Sequence, residues 1–83
     1  MGPTARGSAD HVELHVGNRI RRLREHLEIS EEALASALDL SVRQLRNYER
    51  GANQISVRTL FRISRRLNVS IEYFFQGLTA AND

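Results

Sequence analysis

Apolar residues in the first third of the chain recur at spacings of four, four, three and four: Val12, Val16, Ile20, Leu23 and Leu27. That is the inward stripe of an amphipathic helix. Ser8 or Asp10 is placed to cap its start. Gly17 weakens the first half, so the ordered helix is expected to begin nearer Val16. Ser30 then precedes Glu31 and Glu32, acids suited to a helix N-terminus. Leu34, Ala35 and Leu38 give that second helix its inner face.

"DLS" forms a three-residue turn, and Ser41 caps a third helix that stops at Gly51. Leu45, Tyr48 and Ala52 fall on its inner side. After the loop "ANQI", Ser56 caps a fourth helix carrying Leu60, Ile63 and Leu67. Asn68 suits a left-handed helix end. Ser70 opens a short fifth helix with Ile71, Phe74 and Phe75, and "LTAAND" reads as a polar, frayed tail. No strand-like alternation and no internal repeat occurs. The expected fold is all-α, a compact five-helix bundle containing a helix-turn-helix. Residues 1–14 are a polar extension that either precedes helix one or prolongs it, residues 15–77 the domain, and residues 78–83 the tail.

With 83 residues the chain makes one small domain with little to spare for a catalytic cleft. Cysteine is absent, which excludes disulfides, thiolate metal sites and a thiol nucleophile. No apolar run approaches the roughly 20 residues needed to span a bilayer. "MGPTARGSAD" lacks the apolar centre of a signal peptide. A soluble, cytoplasmic protein is expected.

The net charge of +2 says little; its arrangement says more. Glu25, Glu28, Glu31, Glu32 and Asp39 occupy a stretch without Lys or Arg. Arg43, Arg46, Arg50, Arg58, Arg62, Arg65 and Arg66 follow, against Glu49 alone. Every basic residue is Arg, whose planar fork suits phosphates and guanine edges; codon usage is an equal account of the missing Lys. Arg43, Arg46, Asn47 and Arg50 stand at i, i+3, i+4 and i+7, on one helical face. Such a face is ordinarily just solvated. Here the preceding helix is short and capped and the turn is tight, the arrangement that pushes a second helix into a major groove.

The segments "VGNRIRRLRE", "ISEEALASALDLS", "RQLRNYERG" and "LFRISRRLNVSIEYFF" resemble the helix-turn-helix domain of the XRE and lambda-type phage-repressor class, from about His15 to Gly77. "YERG" and the "LA" of helix two are the most diagnostic pieces. The resemblance implies a bacterial or phage transcription regulator that binds double-stranded DNA as a homodimer. It places Val42, Arg43, Gln44 and Asn47 at bases, where Arg43 suits guanine, Asn47 adenine and Val42 a thymine methyl. It places Ser41, Arg46, Arg50, Asn53, Gln54, Ser56 and Arg58 at phosphates. Arg24 and Glu49 match a buried structural ion pair of the class. Phe74, Phe75 and Leu78 are the expected dimer surface, with one phenylalanine in the core and the other exposed.

Two departures from the class matter. Glu31 stands where the class carries Gln against a phosphate, so Glu31 either serves only the helix dipole or orients Arg43 for its base. Glu28 and Asp39 occupy turn positions where Gly is usual, which points to strained or differently shaped turns.

His11 and His15 are spaced as a zinc pair, but no third ligand stands nearby and solvated histidines are expected. No metal, cofactor or small-molecule ligand is implied, and neither a catalytic constellation nor a Gly-rich phosphate loop is present. An enzyme is therefore not expected. The expected function is a sequence-specific DNA-binding regulator, acting as a repressor on a two-half-site operator. The alternative is a protein-interaction module, an anti-repressor or antitoxin-like adaptor using the acidic second helix.

Overall fold

Three serines open three helices in the same way. Ser30, Ser41 and Ser56 hold extended backbone angles and accept hydrogen bonds from the amides of Ala33, Gln44 and Thr59. Each bond satisfies one of the donors that a helix start leaves unpaired. The computed structural model describes residues 2–78. Among them the elements are α1 (Gly2–His26), α2 (Glu31–Ala37), α3 (Val42–Glu49), α4 (Val57–Leu67) and a 3₁₀ helix (Ile71–Phe75). No strand occurs among the described residues, and no helix there is long and apolar enough to cross a membrane. The expected tail beyond Leu78 lies outside the described residues.

The fifth element is thus a 3₁₀ helix rather than an α-helix. It is only five residues long, and Ser70 makes no side-chain cap bond to it. Two of the carbonyls in its region are instead claimed by α1. Arg19 Nη2 donates to Tyr73 O at 3.0 Å, and His15 Nε2 bonds Gln76 O at 2.8 Å. The Arg19 guanidinium also lies over the Tyr73 ring, 4.2 Å from its centroid.

All four α-helices end by the same device. The chain turns through a left-handed residue at Glu28 (φ 59°), Asp39 (φ 59°), Gly51 (φ 73°) and Asn68 (φ 62°). The amide of the next residue then reaches back five positions: Ile29 to Arg24 O, Leu40 to Ala35 O, Ala52 to Asn47 O and Val69 to Ser64 O, at 2.8 to 3.0 Å. This is the Schellman motif. Ile29, Leu40 and Val69, the residues just past three of the turns, pack against the core. Their burial holds Glu28 and Asp39 in a conformation that costs an L-residue about 1–2 kcal/mol. The turns keep the shape glycine would give them and carry strain.

The core gathers Val16, Ile20 and Leu23 of α1, Leu34, Ala35 and Leu38 around α2, Leu45 of α3, Leu60, Ile63 and Leu67 of α4, and Phe74. Val12 and Leu27, expected on the same α1 stripe, are exposed. Leu27 lies past the last full turn of α1, where the chain already swings toward Glu28. Ala52, expected inside, is exposed because it follows Gly51 out of the helix, and Tyr48 is only half-buried.

The expected start of α1 near Val16 is overturned. The helix passes through Ser8, Asp10 and Gly17 without a break. Gly17 is there for contact. A Cβ at that position would stand 2.2 Å from Tyr48 O and 2.8 Å from Glu49 O, both backbone atoms at the end of α3. Its helix-propensity cost of about 1 kcal/mol is the smaller effect. Gly17→Ala should therefore destabilise the domain by about 2 kcal/mol or more despite the better helix former, because backbone cannot yield as a side chain would. Denaturant unfolding measures this; equal or higher stability would show that α1 and α3 separate freely.

Candidate nucleic-acid interface

α3 is eight residues long and is held from below. Leu45 is fully buried, and Glu49 lies beneath the surface although it is charged. Arg24 of α1 meets it with two parallel bonds, Nε to Oε2 at 2.7 Å and Nη2 to Oε1 at 3.1 Å. The third nitrogen, Nη1, donates to Ile29 O at 2.9 Å. One guanidinium therefore ties α1, the turn before α2, and α3. The hydrogen bonds Arg24 donates to Glu49 raise the Arg24 pKa, opposed by burial and aided by the Glu49 charge. The pair expected at these two positions is formed.

The start of α3 is fixed by a reciprocal cap. Gln44 N donates to Ser41 Oγ at 3.0 Å, and Ser41 N donates to Gln44 Oε1 at 2.9 Å. Gln44, expected at a base, thus spends its carbonyl on the helix and retains only its amide hydrogens. The S-x-x-Q spacing was the signal for this capping box. Ser56 is similarly engaged: its hydroxyl accepts from Thr59 N and donates to Thr59 Oγ1 at 3.0 Å.

Above this frame the outward face carries Arg43, Gln44, Arg46 and Arg50, all exposed, with Asn47 and Val42 half-buried beside them. Val42 packs partly on the core. Asn53, Gln54, Ser56 and Arg58 continue the exposed surface into the loop and the start of α4.

Glu31 does not lie on Arg43. Its Oε1 accepts from Arg46 Nε and pairs with Arg46 Nη2, both at 3.0 Å. The first residue of α2 sits across from the second turn of α3, within reach of Arg46, while Arg43 has no hydrogen-bond or ion-pair partner among the described residues. The Arg46 hydrogen bond is the main cause holding the Glu31 carboxyl below the usual glutamate range, with the Arg46 charge adding to it and desolvation opposing.

Phe74, expected at a dimer surface, is fully buried and belongs to the core. It is held by packing against its neighbours, including an edge-on Tyr73 ring. Phe75 is exposed and Leu78 half-buried. Phe75 borders a shallow groove with Val12, Val16, Ile55 and Leu60. His15 bonds the Gln76 carbonyl, so it is not the free, solvated side chain expected. No cluster of three metal-ligating side chains forms among the described residues.

A short capped helix, a tight turn and an outward-facing basic helix define the helix-turn-helix class. The chain belongs to the helix-turn-helix (HTH_3) family, whose model matches residues 20–74. An uncharacterized transcriptional regulator in the ATPase CF(0) region of Rhodospirillum rubrum is 44% identical over 68 residues, 82% of this chain and 63% of that protein. An uncharacterized HTH-type transcriptional regulator of Sinorhizobium medicae (strain WSM419) is 38% identical over 65 residues, 78% of this chain and 47% of that protein. This chain therefore spans about half to two thirds of the length of those relatives. The restriction-modification controller protein C.AhdI of Aeromonas hydrophila superposes with a TM-score of 0.71 at 26% identity, over 75% of this chain and 94% of that one. The two sequence relatives carry the name transcriptional regulator, and the structural neighbour that of a restriction-modification controller.

Two predictions concern the frame. Arg24→Ala or Glu49→Ala should each cost about 3–5 kcal/mol by stranding a buried charge, and the double variant should lose less than the sum. Additive losses in denaturant unfolding would refute the coupling. The second concerns pH. The Glu31 carboxyl has a depressed pKa in the fold, so the stability it lends is complete above its unfolded value and is lost as pH falls through the lower folded value. The Arg46 Nε–H resonance should therefore shift in acid in the parent and not in Glu31→Gln. An identical acid response in both proteins would show that the pair does not form in solution.

Proposed function

We propose that the chain is a sequence-specific, double-stranded DNA-binding transcription regulator that acts as a repressor. Two copies engage a two-half-site operator, each laying α3 in the major groove. The observation that carries the reading is the outward face of α3, where three exposed arginines and Asn47 stand opposite the anchored Leu45 and Glu49. A helix held from beneath by a buried ion pair keeps its outer side chains at a fixed depth. Groove reading requires this, and a solvated surface does not.

In this reading Arg43 contacts a guanine and Asn47 an adenine, with Val42 against a thymine methyl at the helix start. Ser41, Arg50, Asn53, Gln54 and Arg58 hold phosphates, Ser56 contributing through the amides at the start of α4. Phe75 and Leu78 pair the two copies, together with the apolar groove beside them. Repression follows from occupancy, since a bound dimer excludes other proteins from the same stretch of duplex. The names of the relatives, regulators of transcription and a restriction-modification controller, support the class of function.

The test is titration of the protein against duplexes selected from genomic DNA and against generic duplex, over a range of salt. Affinity for both should fall as salt rises, with the selected duplex preferred. Arg43→Ala should weaken specific binding by about 1–3 kcal/mol and relax preference at one base position. Absence of duplex binding at low salt would refute the reading in favour of a protein adaptor.

A further inference from the structure

We propose that Arg46 reads a base, guanine in the major groove, and that Glu31 is the positioning residue that aims it; the assignment rests on the DNA-binding reading above. Class resemblance would leave Arg46 to a phosphate. The geometry of the pair argues otherwise.

Arg46 Nε and Nη2 converge on a single oxygen, Glu31 Oε1, each at 3.0 Å. That contact occupies one edge of the guanidinium. The far edge, with one hydrogen each from Nη1 and Nη2, remains open, and it is a parallel pair of donors. Guanine O6 and N7 are the matching pair of acceptors. The exposures fit this direction. The Arg46 side chain is 55% exposed and the Glu31 side chain 28%, so the carboxylate is recessed and the fork projects from it.

Charge and order both favour a base over a phosphate. A phosphate contact gains from net positive charge and tolerates many geometries. Glu31 removes most of the net charge at Arg46, which makes the pair a poor phosphate clamp. The same bond fixes a long side chain before the duplex arrives, so less rotamer entropy is lost on binding. Prepaid order has its value at a base edge, where two hydrogen bonds must form in one plane. Arg43, with no partner among the described residues, has no such preparation. Glu31 Oε2 takes part in no hydrogen bond among the described residues, so the carboxylate's whole engagement is with Arg46.

The experiment compares parent, Arg46→Ala, Arg46→Lys, Glu31→Ala and Glu31→Gln on the selected duplex, on its single-base variants and on generic duplex. Thermal melts of all five establish that each is folded. In the parent, one guanine position should be preferred, and Arg46→Ala should remove that preference with an about tenfold to hundredfold loss on the selected duplex only. Arg46→Lys should not restore it, because an ammonium has no fork. Glu31→Ala should lose the same preference while binding generic duplex more tightly. Glu31→Gln retains an acceptor oxygen and should recover much of the preference, a rescue that a merely structural role for Glu31 would not produce. Uniform weakening of Arg46→Ala on all duplexes, with the salt slope reduced by about one, would make Arg46 a phosphate contact and overturn the proposal. So would unchanged discrimination in Glu31→Ala. A parent that binds no duplex at low salt would instead overturn the DNA-binding reading itself.

Discussion

One guanidinium organises this domain. Arg24 spends three nitrogens on two segments: Glu49 at the end of α3, and the Ile29 carbonyl before α2. The carboxylate and the guanidinium are both buried, so each needs the other. A buried pair adds little net stability over a well-packed apolar substitute, yet breaking it is expensive. Its role is therefore better described as specification. Helices sliding past one another could satisfy an apolar contact in many registers. The bidentate pair is satisfied in one, and Gly17 against the Tyr48 and Glu49 carbonyls brings α1 close enough to form it.

The depth of α3 follows from that constraint, and the chemistry of its outer face follows from the depth. Acidic residues gather at the α1–α2 turn and the start of α2, while seven of the twelve arginines follow between Arg43 and Arg66, along α3 and α4. The two groups meet at few places. Glu31 with Arg46 is one, and Asp39 with Arg62, at 3.9 Å and largely exposed, is a looser second. Most of the arginine charge on α3 and α4 is left outside these contacts. The C-terminal turn is secured separately, by Arg19 and His15 reaching from α1 to backbone carbonyls.

Much of the fold was legible because its signals are local. Ser30, Ser41 and Ser56 announce helix starts by chemistry alone, and the apolar spacing locates the inner faces of α2 and α4. The Arg24–Glu49 pair was legible only through family resemblance, since nothing in periodicity brings residues 24 and 49 together. What escaped the sequence depended on tertiary contact. Gly17 looked like a weak point of α1, yet its cause lies in α3. Arg46 rather than Arg43 takes Glu31 because of how α2 crosses α3, an angle that no helical wheel contains. Phe74 and Phe75 are adjacent and chemically identical, and only packing decides that the first is core. The Ser41–Gln44 capping box, by contrast, is written in the S-x-x-Q spacing itself.

The left-handed turns have an evolutionary consequence. Glu28 and Asp39 hold angles that glycine adopts freely, and both side chains point to solvent. The molecule thus carries a reserve of stability it has not used, at two places outside the outward face of α3. Mutations that alter that face will often weaken the fold, and a compensating glycine is a single substitution away. Strain in two turns becomes latitude for change in α3: its outer face can drift while the scaffold stays above its threshold.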